Sequence, residues 1–148
     1  MIALVQRVSS AAVHIDGAEV AAIGKGLLAL IAVERGDGEA QAARLAERVV
    51  AYRIFADAQG KMNLSLKDVG GELLAVPQFT LAADTASGLR PSFSSAAAPA
   101  TGEALFAKFT EKAAQVVHVA TGRFGADMRV SLVNDGPVTF WLQVKSKT

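Results

Sequence analysis

Two short segments concentrate the groups with which this chain could do chemistry: Pro77-Gln78-Phe79-Thr80-Leu81 and Asn134-Asp135-Gly136-Pro137. The first combines a proline-bounded chain end with an amide, an aromatic ring and a hydroxyl. Read by itself it is also what a buried strand looks like as it enters a loop, since a proline stops ladder pairing. The second reads as the turn of an ordinary β-hairpin, with a proline removing a donor where the next strand begins. Other hydroxyls cluster at Ser92, Ser94 and Ser95. A hydroxyl nucleophile needs a base within hydrogen-bond reach, and no obvious base lies nearby in sequence. The two histidines, His14 and His118, fall on a predicted edge hairpin and at a predicted helix end, places where single histidines are usually structural.

The chain has no cysteine, which removes disulfides, thiolate metal sites and thiol nucleophiles together. It also lacks a Gly-x-Ser-x-Gly elbow, a His-Glu-x-x-His pair and any phosphate-binding glycine loop. Lys and Arg number 15 against 14 Asp and Glu, so contact with a polyanion would need a local patch, for which Lys25, Lys145 and Lys147 are candidates. The hydrophobic fraction of 51% argues against disorder and hints at apolar surface for a partner subunit to cover. No apolar run approaches the ~18 residues of a membrane span, so the expectation is a soluble, cytoplasmic protein with no membrane association.

Elements that could position these segments follow from periodicity. Ile2 to Val8 alternates, and Ala11 to Ile15 and Ala18 to Ile23 flank Asp16-Gly17, a dipeptide suited to a two-residue turn. Leu27 to Val33 is apolar throughout and predicts a central strand buried on both faces. Asp37 is the expected cap of a helix from Glu39 to Ala51, with Ala42, Leu45, Ala46 and Val49 on its inner face. Tyr52 to Ala56 and Leu73 to Val76 predict short strands, the latter running straight into Pro77. Residues 82–100 show no period and read as a functional loop. A second helix is expected from Gly102 to His118, capped by Thr101, and Asp127 to Val133 and Val138 to Val144 predict a closing hairpin. The pattern is a single α+β domain over residues 1–148, two helices covering one side of a largely antiparallel sheet system.

The segments taken together carry a resemblance. The opening MIALVQRV, YRIFADAQGKMNLS at Tyr52 to Ser65, PQFTLAADT at Pro77 to Thr85, GLRPSF at Gly88 to Phe93, and TGRFGADM with VSLVNDGPVTFWLQV up to Val144 closely resemble the bacterial D-aminoacyl-tRNA deacylases, in order over nearly the whole chain. The resemblance implies a three-layer β/β/α fold paired as a homodimer, with two sites at the interface. It also implies hydrolysis of the ester of D-aminoacyl-tRNA as chiral proofreading in translation, and action on glycyl-tRNA misplaced on the alanine tRNA, with no metal or cofactor.

Residue by residue, the family's Ser-Gln-Phe-Thr-Leu motif falls on Pro77 to Leu81, so that Gln78, Phe79 and Thr80 are the implied catalytic segment, with the Phe79 and Thr80 N–H groups as an oxyanion site. Its Gly-Pro motif, with a cis peptide, falls on Gly136 and Pro137, which in the family reach into the partner's site to capture the substrate amine and reject L side chains. Arg7 is implied to support that motif. Pro77 stands where the family usually has Ser, so a hydrogen bond from that hydroxyl is absent. A sister class of looser chirality also has Pro-Gln here, but with Ala where this chain keeps Phe79. Two readings of other classes stay open from the residues alone: a non-catalytic RNA-binding module on the same dimeric fold, and an esterase using Thr80 or Ser92 as nucleophile.

Overall fold

The structure, a computed structural model, describes residues 1–147. Its organising element is β1 (Ile2–Ile15), a strand of 14 residues where the sequence suggests two shorter ones. One edge of β1 is shared: residues 2–8 pair antiparallel with β3 (Gly26–Ala32), and residues 11–15 pair with β2 (Ala18–Ile23) across the Asp16-Gly17 turn. Both turn residues have positive φ, as that turn type requires. The other edge is occupied along most of its length by β8 (Arg129–Gln143). Beyond β3 the sheet continues in parallel fashion, first with β6 (Glu72–Pro77) and then with β7 (His118–Thr121). The sheet is therefore mixed, antiparallel around β1 and parallel at the β3–β6–β7 side. A small antiparallel pair, β4 (Phe55–Ala56) and β5 (Met62–Leu64), lies apart from it.

Two cores explain the layering. Met1, Ala3, Val5, Leu27, Ala29, Ile31, Leu73 and Ala75 face α1 (Glu39–Ala51) and α2 (Pro99–Ala114), joined there by Leu45, Val49, Leu105 and Phe109. The alternate residues Leu28, Leu74 and Val76 face the other way, onto Val8, Val13, Ile15 and Ile23, with Val130 and Leu132 of β8 packed alongside. Strands β1 and β8 run from one layer into the other, so a single hydrogen-bonded sheet supplies both β layers and the helices cover one side. Leu73 and Leu74 are both fully buried, and each contributes about 1.5–3 kcal/mol by leaving water. This is why Leu27 to Val33 and Leu73 to Val76 show apolar runs rather than alternation.

Several expectations change in detail. The cap of α1 is Gly38, not Asp37, and the Asp37 carboxylate instead accepts the Glu34 N–H (2.7 Å) and pairs with the α-amino group of Met1 (2.9 Å). Helix α2 starts at Pro99, whose missing N–H costs nothing at a helix start, and ends at Ala114. The chain then turns so that His118, expected in the helix, begins β7, where it pairs with Glu72. The largest change concerns Asn134 to Pro137. No hairpin forms there: both flanking segments belong to β8 and pair with the same strand, β1. The four residues Asp135 to Val138 stand opposite Arg7 alone, between the pairs Val8 with Asn134 and Gln6 with Thr139, with Asp135, Gly136 and Pro137 exposed and Val138 buried in the core.

Candidate active site

Strand β6 ends at Pro77, in register with Ile31 of β3, and the Gln78 N–H donates to the Ile31 carbonyl (2.7 Å). With that bond made the chain leaves the sheet as a 3₁₀ turn over Phe79–Ala82. Leu81 is the first residue to donate back, to the Gln78 carbonyl (3.2 Å). The N–H groups of Phe79 and Thr80 precede that bond and have no acceptor within the turn. The same physics that ends the strand thus leaves two neighbouring backbone donors at the surface. The Gln78 amide donates to the Thr80 hydroxyl (2.6 Å), and the Phe79 ring is 58% exposed, tilted against Phe93 with centroids 5.3 Å apart.

Pro77, Gln78 and Phe79 form one rim of a cavity of about 470 Å³. Its other walls are mostly apolar, from Val76 and Val130 on the sheet, Phe106 on α2, and Phe124 and Met128 on the segment before β8, with Asp127 of that segment the one charged residue among them. Sequence reasoning assigned none of these wall residues. One signal was there in Gly102, which lies in the first turn of α2, where a Cβ would come within 3.3 Å of the Phe124 ring. A second is Gly122, where a Cβ would sit 2.7 Å from the Met128 sulfur. Small residues at these two places let the walls close.

The serine cluster does not join the site as a catalytic unit. Ser92 pairs with Ser94 through their hydroxyls (3.1 Å), and Ser92 bonds Asp84 through the backbone in both directions. Among the described residues no three His, Asp or Glu side chains gather as a metal site, and no helix is long and apolar enough to cross a membrane.

Gly136 and Pro137 lie elsewhere, on the β8 bulge, joined by a cis peptide bond. Arg7 supports the bulge from β1: its Nε donates to the Asp135 carbonyl (2.9 Å), and an Nη donates to the Ile54 carbonyl (2.8 Å). Asn134 closes it, donating to the Arg7 carbonyl (2.9 Å) and the Val138 carbonyl (3.2 Å). Pro77 pairs with Ile31 while Arg7 pairs with Leu27, and β6 is separated from β8 by β3 and β1. Three strand spacings and four residues along the sheet put the bulge and the Phe79 turn on the order of 15–20 Å apart within one chain. A single chain therefore brings Pro77, Gln78, Phe79 and Thr80 together, and Arg7, Gly136 and Pro137 together, but not the two groups with each other.

Known proteins resemble this chain over nearly its whole length. The D-aminoacyl-tRNA deacylase of Thioalkalivibrio sulfidiphilus is 66% identical over 145 residues, covering 97% of each chain. That of Vibrio cholerae is 62% identical over 143 residues, covering 97% of this chain and 99% of its own. Among solved structures, one described as c-Myc DNA Unwinding Element Binding Protein superposes with a TM-score of 0.93 at 33% identity, covering 98% of this chain and 99% of that one. A probable eukaryotic D-amino acid tRNA deacylase shares the fold, with a TM-score of 0.81 at 16% identity over 97% of this chain and 98% of that one. Residues 4–143 match the family described as D-Tyr-tRNA(Tyr) deacylase, and with relatives this similar over nearly their full length, the chain belongs to that family.

Proposed function

We propose that this chain hydrolyses the ester linking a D-amino acid to the terminal ribose of tRNA, and does so as a homodimer in the cytoplasm. The observation that carries the reading is the pair of neighbouring backbone donors, Phe79 and Thr80, the first of them on the rim of a mostly apolar cavity. An aminoacyl ester is already activated, and the adjacent ribose hydroxyl can assist water in attacking it. The protein is then required only to hold the ester and stabilise the charge that develops on its carbonyl oxygen. Two N–H groups fixed by the end of β6 suit that task without any titratable residue. The cavity beside them, with Phe106, Phe124 and Met128 in its walls, has the size and character to take the terminal adenine.

Stereochemical selection needs a third contact besides the ester carbonyl and the ribose. The carbonyl groups of Gly136 and Pro137 are its proposed source, reaching the substrate amine from the other subunit, since within one chain the bulge stands too far from the turn. Held at three points, a D-amino acid points its side chain away, whereas an L side chain meets protein. Glycine has no side chain to exclude, so glycyl-tRNA, including glycine carried by the alanine tRNA, is a proposed second substrate. The direct test is release of radiolabelled tyrosine from D- and L-tyrosyl-tRNA. Fast release from the D ester and slow release from the L ester is expected. Binding of tRNA without release would instead mark a non-catalytic RNA-binding module.

A further inference from the structure

The bulge of β8 is spanned by one side chain, and that side chain is not among the residues assigned to selection so far. Asn134 is the last paired residue before the bulge, opposite Val8. Its amide nitrogen spends both hydrogens on carbonyls, one across from the excursion and one at its far end: the Arg7 carbonyl on the facing strand (2.9 Å) and the Val138 carbonyl four residues on (3.2 Å). Its amide oxygen fills the inside of the loop, where a Cβ on Gly136 would collide with it and also lie 2.5 Å from the Val138 nitrogen. Arg7 is engaged from both sides, its backbone carbonyl accepting from Asn134 and its guanidinium donating to the Asp135 carbonyl.

We propose that Asn134 is a positioning residue for stereochemical selection, its amide setting the width and direction of the four-residue excursion that presents Gly136 and Pro137. The assignment rests on the reading that these two residues meet the substrate. The chemistry required is specific to a short carboxamide. The two acceptors are carbonyl oxygens, so the group between them must donate twice, and the side chain must be short enough to turn back over its own strand. Aspartate has the right shape but would set a carboxylate against two carbonyl oxygens. Alanine leaves both carbonyls without this partner and opens the space above Gly136. Serine donates once. Gly136 accordingly serves the inside of the bulge, making room for this amide, as well as any approach to a ligand.

The test is steady-state hydrolysis of D- and L-tyrosyl-tRNA by the wild type and by Asn134→Ala, Asn134→Asp and Asn134→Ser. With two hydrogen bonds at stake, the D to L ratio of kcat/KM should fall about tenfold or more in Asn134→Ala and Asn134→Asp, and less in Asn134→Ser. The loss should sit in kcat for the D ester, with KM for the tRNA little changed. If a variant falls short of a folded dimer by sedimentation and melting, the Ser variant, which retains one donor, gives the comparison. An unchanged ratio in folded variants, whether both rates fall together or neither does, would overturn the assignment and leave Asn134 a structural residue. A wild type that releases no D-tyrosine would instead overturn the functional reading beneath it.

Discussion

Arg7 and Asp135 are joined across the β1–β8 boundary by the Arg7 Nε–H, which donates to the Asp135 carbonyl at 2.9 Å and stands 3.3 Å from its carboxylate. The same guanidinium reaches the Ile54 carbonyl at 2.8 Å, so one planar fork ties the bulge to the segment leading into β4. With 17% of its side chain exposed, Arg7 works in a partly desolvated setting where such bonds are worth more than on the open surface. Lysine offers one compact ammonium and cannot address both carbonyls with the same geometry. Arg7→Lys should therefore keep the fold while lowering kcat/KM on D-tyrosyl-tRNA by roughly 10- to 100-fold, the scale of one or two lost charge-assisted bonds. Retention of full activity would show that the bulge does not need the Arg7 guanidinium.

Thr80 invites the opposite expectation. Its hydroxyl accepts from the Gln78 amide at 2.6 Å, an arrangement that orients it without activating it as a nucleophile. The proposed chemistry uses the backbone N–H of residue 80, which every residue but proline retains. Thr80→Ala should then stay within about threefold of the wild-type rate, since no transition-state contact is lost. A substrate whose terminal ribose lacks the assisting hydroxyl should react far more slowly. A dead Thr80→Ala enzyme beside normal turnover of that deoxy substrate would make Thr80 the nucleophile.

How much of this was legible beforehand depends on the range of the interactions. Local patterns were sufficient for α1, for the Asp16-Gly17 turn and for the doubly buried β3 and β6, because apolar periodicity and turn chemistry act within a few residues. They misplaced Asn134 to Pro137. Two alternating segments around an Asn-Asp-Gly are what a hairpin looks like, and only the pairing of both segments with β1, more than 110 residues away, makes them one strand with a bulge. They also carried α2 to His118, since Val116 continues its stripe. Docking beside β6 turns that stretch into β7 instead, bringing His118 to 3.5 Å from Glu72. At the site, resemblance alone supplied Gly136, Pro137 and Arg7. Asn134 was visible only as a turn residue, because its two acceptors come together through the fold.

Gly26 gives a stability test of the parallel β3–β6 junction. It is paired with Glu72, and a Cβ there would fall on the Glu72 carbonyl oxygen and lie 2.7 Å from the Glu72 nitrogen and carbonyl carbon. These are backbone atoms of a buried sheet and cannot move aside as a flexible side chain would. Gly26→Ala should cost about 3 kcal/mol or more, the upper range for overpacking. Urea unfolding within 1 kcal/mol of wild type would mean that the two strands separate more easily than their register implies.

Glu34 gives a pH test. Burial raises its pKa, but this is outweighed by the Gln143 amide and the Met1 ammonium, which both donate to its carboxylate, with Lys145 adding a weaker attraction. The net direction is below the ordinary value of 4.5. A depressed folded pKa means that the contribution of Glu34 is fully present above the unfolded pKa and is lost as pH falls through the folded one. Glu34→Gln should accordingly destabilise the protein at pH 7 and matter progressively less from about pH 4.5 downward. Equal urea midpoint differences at pH 7 and pH 3 would show that the ammonium holds no charge-dependent partner at Glu34.

The separation of the two site segments within one chain leads to the most demanding test. If each site combines the Phe79 turn of one subunit with the Gly136–Pro137 bulge of the other, two differently crippled chains should rescue each other. Phe79→Pro removes one proposed oxyanion donor at the first position of the 3₁₀ turn, where proline is best tolerated, and loss of such a donor typically costs 10²–10³ in kcat. Gly136→Val places a branched side chain against the Asn134 amide oxygen and 2.5 Å from the Val138 nitrogen, so the bulge cannot keep its form. Each homodimer has two defective sites. A heterodimer has one site carrying both defects and one carrying neither, the latter built from the intact turn of the Gly136→Val chain and the intact bulge of the Phe79→Pro chain. Random exchange of equal amounts makes half the dimers mixed, so recovery should approach about a quarter of wild-type activity per protomer. The assay is D-tyrosine release before and after the two purified variants are mixed under mild denaturant and returned to buffer. Should the mixture stay as inactive as its parts, with mixed dimers demonstrated by mass spectrometry, the turn and the bulge do not form a shared site in trans.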